Sequence, residues 1–112
     1  VVEASARESG FAAPVPLAVF GVTKEEDLAW ALPRNRPHPF RTMTQPIRLS
    51  RPAADGFKRS FIYCMKPATG TFDAFAARIR RDPTWTFREF ATGHDAMITE
   101  PEALARHLVE LS

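Results

Sequence analysis

The stretch that decides the fold runs Phe90-Ala91-Thr92-Gly93-His94-Asp95-Ala96-Met97-Ile98-Thr99. It places His94 on a short turn that follows an apolar, strand-like run and precedes a well-marked final helix. A histidine on such a turn has accessible ring nitrogens, and the ordinary pKa of an imidazole lies near neutrality. These are the properties that a general base needs.

The residues around this turn alternate between strand and helix patterns. An apolar run at Phe61–Cys64 is typical of a buried strand, and Phe72, Phe75, Ala76 and Ile79 recur at helical spacing. The predicted elements are a strand over Phe57–Cys64, a helix over Thr71–Arg81, a strand over Thr84–Phe90 and a final helix with Leu104, Leu108 and Leu111 on one face. This order predicts an α/β fold, with parallel strands and helices packed against them.

Residues 1–56 show a different pattern, with prolines concentrated between Pro14 and Pro52. A helix that ends near Ser9, a helix that begins at Thr23 and one helical turn near Pro39–Met43 are the regular elements we expect there. These are too short for an independent core. We therefore predict a lid over residues 1–56 and the C-terminal βαβα part of the core over residues 57–112.

Two helix starts carry the sequence of a capping box. Thr23 with Glu26, and Thr99 with Glu102, have the spacing at which each side chain reaches the other residue's backbone N–H. We expect both boxes to form.

Taken together, these pieces resemble the C-terminal half of an α/β-hydrolase. Gly93-His94-Asp95-Ala96-Met97, followed by Glu100-Pro101-Glu102-Ala103-Leu104, is similar to the histidine loop and last helix of small methylesterase- and hydroxynitrile-lyase-type esterases and their bacterial relatives. The lid resembles theirs at Phe20-Gly21-Val22, Asp27-Leu28-Ala29-Trp30, Pro37-His38-Pro39-Phe40 and Gln45-Pro46-Ile47-Arg48-Leu49. The resemblance implies a lid, the last two strands of a parallel sheet and their helices.

The resemblance also implies a catalytic triad in the chain order serine, acid, histidine, with His94 as the base. No Gly-x-Ser-x-Gly elbow is present, because Ser5, Ser9, Ser50, Ser60 and Ser112 all lack flanking glycines. We expect the nucleophile and the oxyanion hole on an N-terminal half of the hydrolase, which would then be the partner of these residues.

The triad acid has two candidate positions. Plant relatives place an aspartate shortly after the strand that matches Phe61–Cys64, and Pro67 stands there in this chain. Either Asp73 reaches in from the next helix, or the acid lies on the N-terminal half. We favour the second, because a position at a helix N-terminus already explains Asp73. Asp95 is expected to fix the loop.

The residue after the histidine discriminates between two reactions of this family, ester hydrolysis and cyanohydrin cleavage. Hydroxynitrile lyases of this family carry a lysine there, whose charge stabilises the departing cyanide, whereas this chain has Asp95. The resemblance therefore favours hydrolysis of a small, largely apolar carboxylic ester without a cofactor. Phe20, Trp30, Phe40 and Met43 are the candidate substrate-binding residues, and simple packing between lid and sheet explains any one of them equally well.

Composition excludes several other classes of protein. The chain has 112 residues, of which 45% are hydrophobic and 25% charged, as in a globular protein, and its net charge of +2 does not indicate a nucleic-acid partner. No apolar run is long enough for a membrane span, and His38, Cys64 and His107 have no zinc-like spacing. A single cysteine fits a reducing compartment, so we expect a cytoplasmic protein.

Two other functions remain open on the sequence alone. The chain could be an inactive α/β-hydrolase-like binding protein, which Pro67 at the acid position would explain. It could also be an independent small interaction domain with an accidental resemblance.

Overall fold

The computed structural model describes residues 2–51 and 56–112 of the chain. Residue 1 and residues 52–55, which the predicted lid includes, lie outside the described part. The helices are α1 (Val2–Ser9), α2 (Glu25–Ala31), α3 (Arg41–Thr44), α4 (Asp73–Ile79), α5 (Ala96–Thr99) and α6 (Pro101–Leu111), with 3₁₀ turns at Leu17–Phe20 and Leu32–Arg34. The strands are β1 (Phe11–Ala12), β2 (His38–Pro39), β3 (Arg59–Cys64) and β4 (Trp85–Phe90).

Strands β3 and β4 form a parallel pair, in register from Arg59 opposite Trp85 to Cys64 opposite Phe90. The pairing continues past the strand ends, where the Lys66 N–H donates to the carbonyl of Thr92 at 2.8 Å. Helix α4 joins the two strands and α6 follows them. The predicted strand–helix–strand–helix order is therefore confirmed, with α4 shorter at both ends than the predicted helix.

Each face of this sheet carries one helix. On one face, Tyr63 donates a hydrogen bond to Asp73 at the start of α4, and the Arg80 guanidinium lies 4.8 Å from the ring centre of Phe87. On the other face, Phe90 packs against His107 of α6 at 4.7 Å between ring centres, and Arg88 pairs with Glu110. In the described part of the chain, the sheet has these two strands and no third.

The front half contains a second, antiparallel ribbon that the sequence does not predict. Phe11 of β1 lies opposite Pro39 of β2, and the Phe40 N–H donates to the carbonyl of Gly10 at 2.9 Å. Strands of two residues are too short to show alternation, so no periodicity in the sequence indicates them.

Neither predicted capping box forms. Helix α2 begins at Glu25, with Lys24 at the N-cap, and no side chain caps its first turn. Thr99 belongs to α5, so Glu100 takes the N-cap of α6, again without a side-chain hydrogen bond. The acidic residues Glu25, Glu26 and Asp27 complement the dipole of α2 instead.

The buried core consists mainly of small side chains. Among the residues whose burial the structure describes, 6–51 and 56–112, the largest fully enclosed side chain is that of Val22, and the buried apolar residues are Ala6, Ala12, Val22, Ala31, Ala76, Ile79 and Ala96. The accessible surface is 8770 Å², against roughly 6,200 Å² for a compact monomer of this mass. The radius of gyration is 16.5 Å, against about 13 Å for a compact domain of this length. The chain therefore leaves uncovered much of the apolar surface that a domain of its size normally buries.

Candidate active site

His94 lies on the turn that leaves the carboxyl end of β4, at the edge where both parallel strands end. Backbone hydrogen bonds of the next residue, Asp95, hold this turn to the front half of the chain and to α5. The backbone N–H of Asp95 donates to the carbonyl of Phe20 at 3.1 Å, and the Asp95 carbonyl accepts the N–H groups of Ile98 and Thr99 in α5. The expectation that Asp95 holds the loop is confirmed for its backbone.

Gly93 lets this turn lie directly against the front half of the chain. A Cβ at Gly93 would lie 2.4 Å from the Phe20 carbonyl oxygen and 2.7 Å from Cα of Gly21. Gly21 itself has a φ of 92°, a left-handed conformation that glycine adopts without strain. The two glycines therefore allow a backbone-to-backbone contact beside His94.

Two phenylalanines hold the half-buried ring of His94. Phe72 stacks on it with ring centres 4.6 Å apart and an interplanar angle of 14°, and Phe20 tilts against it at 5.3 Å. Within the described residues, no hydrogen bond occupies either nitrogen of the His94 ring. Apolar contacts thus orient the imidazole while its nitrogens stay open to another partner.

A cleft of about 300 Å³ opens in front of His94. Its apolar walls come from the 3₁₀ turn at Leu17–Phe20, from residues 13–15 before that turn, and from Met43. Its polar groups come from His94 and Asp95, and from Asn35, Arg36 and His38 in and before β2. The lining residues are Ala13, Pro14, Val15, Leu17, Phe20, Asn35, Arg36, His38, Met43, His94 and Asp95.

The four predicted substrate-binding residues do not share one cleft. Phe20 and Met43 line the cleft of His94. Trp30 lines a separate cleft between α2 and α5, where the Arg34 guanidinium lies 4.5 Å from its ring centre. Phe40 is half-buried beside the β1–β2 ribbon and is not among the residues that line either cleft. Helix α2 presents Trp30 toward α5, which separates it from the other three residues.

The candidate acids have partners other than the His94 ring. Asp73 accepts a hydrogen bond of 2.6 Å from the Tyr63 hydroxyl, which raises the pKa of Tyr63. Pro67 lies against Gly21, beside the histidine turn, and offers no acid there. Burial raises the pKa of the Asp95 carboxyl, an effect that the nearby charge of His94 opposes. Among the described residues, none therefore stands in the place of a triad acid.

Ser60, a serine without flanking glycines, lies exposed within β3. Its neighbours Arg59 and Phe61 continue the strand on both sides, so no strand-to-helix turn presents its hydroxyl. This geometry agrees with the expectation that Ser60 is not a nucleophile.

Sequence reasoning missed three residues of this site. Phe72 reads as one position of a helical stripe, yet it stands at the N-cap position just before α4 and its ring stacks on His94. Arg36 and His38 read as loop residues, yet both line the cleft. The two residues flank Pro37 in a proline-rich stretch, so no periodicity in the sequence groups them.

Comparison of the chain with protein-family models, with curated proteins and with solved structures finds no match in any of the three. Across residues 2–51 and 56–112, no helix has both the length and the apolar character that crossing a membrane requires. In the same ranges, no group of three His, Cys, Asp or Glu side chains could hold a metal ion.

Proposed function

We propose that these residues are the lid and the histidine-bearing part of an α/β-hydrolase that cleaves a small carboxylic ester by way of a serine nucleophile. One observation carries the proposal. His94 lies at the carboxyl edge of two parallel strands, and its ring faces a cleft with both nitrogens unbonded among the described residues. That is the arrangement a general base needs when its partner hydroxyl comes from elsewhere.

In this mechanism the His94 imidazole accepts the proton of the serine hydroxyl as the serine oxygen attacks the ester carbonyl. The imidazolium then donates that proton to the departing alkoxide, which leaves an acyl-enzyme. In the second half of the reaction, a water molecule gives a proton to His94 as its oxygen attacks the acyl-enzyme. The imidazolium then returns that proton to the serine oxygen, and the carboxylic acid product leaves. The stack on Phe72 keeps the ring in one orientation during these steps.

The serine, the oxyanion hole and the triad acid belong, in this proposal, to an N-terminal half of the hydrolase. The accessible surface exceeds that of a compact monomer by roughly 2,600 Å². This excess supports the proposal that an N-terminal half covers part of these residues. Two-stranded parallel sheets are also unusual alone, since parallel strands normally occur in larger sheets with both faces covered. The edge of β3 that faces away from β4 is where a further parallel strand would pair.

The test is ester hydrolysis by the natural polypeptide that contains these residues, with p-nitrophenyl acetate as the substrate. His94→Ala should lower kcat by about 10³-fold or more, because the base acts on the serine in every turnover. His107→Gln is the matched control, since His107 lies on α6 against Phe90 and away from the cleft. It should leave kcat within about twofold of wild type.

A fluorophosphonate probe supplies a second readout. It should label one serine of the natural polypeptide, and His94→Ala should slow that labelling while circular dichroism stays unchanged. Full turnover by His94→Ala would refute the assignment of the base. A wild-type polypeptide that neither hydrolyses the ester nor takes up the probe would refute the hydrolase and favour the binding-protein alternative.

A further inference from the structure

The cleft in front of His94 includes one arginine side chain, the exposed Arg36. Arg36 lines it, and within the described residues the Arg36 guanidinium has no hydrogen bond or ion pair. Arg80 and Arg88, by contrast, pair with Glu89 and Glu110. A guanidinium carries five donors in a planar fork that matches the two oxygens of a carboxylate.

His38 lies beside Arg36 in the lining of this cleft. The hydroxyl of Thr42 donates its single hydrogen to the Pro39 carbonyl at 2.7 Å, so it can only accept in its short contact with Nε2 of His38. Nε2 therefore carries a proton and is already engaged with Thr42, which leaves Nδ1 as the open ring nitrogen.

Arg36 and His38 flank Pro37 in the segment that leads into β2. Both line the cleft that also contains His94. Asp95 is the acidic residue of this lining, and it lies directly after His94 in the sequence. A neutral ester would leave the guanidinium of Arg36 with water alone.

We infer that this cleft selects an ester with a second, negatively charged group, the half-ester of a small dicarboxylic acid, whose free carboxylate binds to Arg36 beside His38. The inference rests on the proposed function and narrows its substrate from a largely apolar ester to a monoanionic one. Leu17, Phe20 and Met43 supply the apolar wall for the short carbon chain between the two carboxyl groups. The volume of about 300 Å³ suits a ligand of this size.

The first test compares two methyl esters of similar length, monomethyl succinate and methyl butyrate. With the natural polypeptide, kcat/KM for methanol release should be at least about tenfold higher for the anionic ester, as expected for charge-assisted hydrogen bonds. Arg36→Gln should remove this preference by raising KM with little change in kcat. Arg48→Gln, an exposed arginine outside the cleft, should preserve it.

The second test needs no turnover, so it separates this inference from the hydrolase proposal. Addition of monomethyl succinate should shift the imidazole NMR signals of His94 and His38, and Arg36→Gln should weaken that binding by about tenfold. Methyl butyrate should shift them at much higher concentration. Equal binding of both esters, or binding that Arg36→Gln leaves unchanged, would overturn the inference whether or not either ester is hydrolysed. Binding without hydrolysis would keep the anion site and refute the esterase.

Discussion

Gly93 approaches Gly21 so closely that neither position has room for a side chain. A Cβ at either glycine would lie 2.7 Å from the Cα of the other, and the Asp95 N–H donates to the Phe20 carbonyl beside this contact. The front half of the chain and the histidine turn are thus joined through backbone atoms, which have less freedom to move apart than side chains. The position of His94 therefore depends on the front half of the chain as well as on β4.

Gly93→Ala should separate these two segments. The added methyl would lie 2.4 Å from the Phe20 carbonyl oxygen, so the backbone must shift. We expect a loss of about 1–3 kcal/mol in the free energy of unfolding, the usual cost of overpacking. The NMR signals of the His94 ring should move as well. Gly70→Ala is the control, because a Cβ there meets nothing within 4 Å and strain at its φ of +77° is the only cost. An unchanged His94 signal in Gly93→Ala would contradict the contact.

Phe72 positions His94, so Phe72→Leu should impair catalysis more than binding. Loss of the parallel stack frees the imidazole to rotate, and small misplacements of a catalytic group are costly. We expect kcat for ester hydrolysis to fall by about 10- to 100-fold with little change in KM. Phe75→Leu is matched to it, because Phe75 lies on the same helix, 48% exposed, with Arg78 over its ring. That variant should retain kcat within about twofold, and equal losses in both variants would indicate a purely structural role for Phe72.

Asp73→Asn discriminates between the two origins of the triad acid. Removal of the acid's charge in a triad costs about 10⁴-fold in kcat. Because Asp73 accepts its hydrogen bond from Tyr63 at 2.6 Å, we expect Asp73→Asn to lower kcat by less than about threefold. Tyr63→Phe, which removes the same hydrogen bond from the other side, should have an effect of similar size. A loss near 10⁴-fold would instead make Asp73 the acid.

The strand–helix–strand–helix order could be predicted because each element carries its own periodicity. Trp85 and Phe87 alternate with polar residues in β4, and the apolar positions of α4 recur at helical spacing. The β1–β2 ribbon could not be predicted, since it pairs Phe11 with Pro39 across a long separation in the sequence. Such a contact depends on how the intervening chain packs, which local patterns do not encode.

The site shows the same division between local and distant information. His94 could be placed on its turn because Gly93 and the strand before it are neighbours in the sequence. Its contact with Phe72 joins two separate loops and has no local signal. The predicted box at Thr99 failed for a related reason, because the short helix α5 incorporates Thr99 and leaves the start of α6 to Glu100.

The carboxyl groups of Asp95 and Glu110 should make the free energy of unfolding change with pH in opposite directions. Burial raises the pKa of Asp95 in the folded state above the ordinary 3.8, so its charged form destabilises the fold at neutral pH. This cost is present above the raised pKa, declines as pH falls through it, and is absent below 3.8. Asp95→Asn should therefore be more stable than wild type at pH 7, by less than about 1 kcal/mol because solvent screens a half-buried carboxyl.

Glu110 provides the matched control, because its pKa is shifted in the opposite direction from that of Asp95. The hydrogen bond from Arg88 lowers the pKa of Glu110, so this carboxylate stabilises the fold above its ordinary pKa of 4.5, and that stability is lost as pH falls through the lowered folded value. Glu110→Gln should therefore be less stable than wild type at pH 7, with a difference that shrinks in acid. Urea unfolding of wild type and both variants between pH 3.5 and 7 measures the two differences. A loss of stability in Asp95→Asn at pH 7 would show that favourable contacts of the Asp95 carboxylate outweigh the cost of its burial.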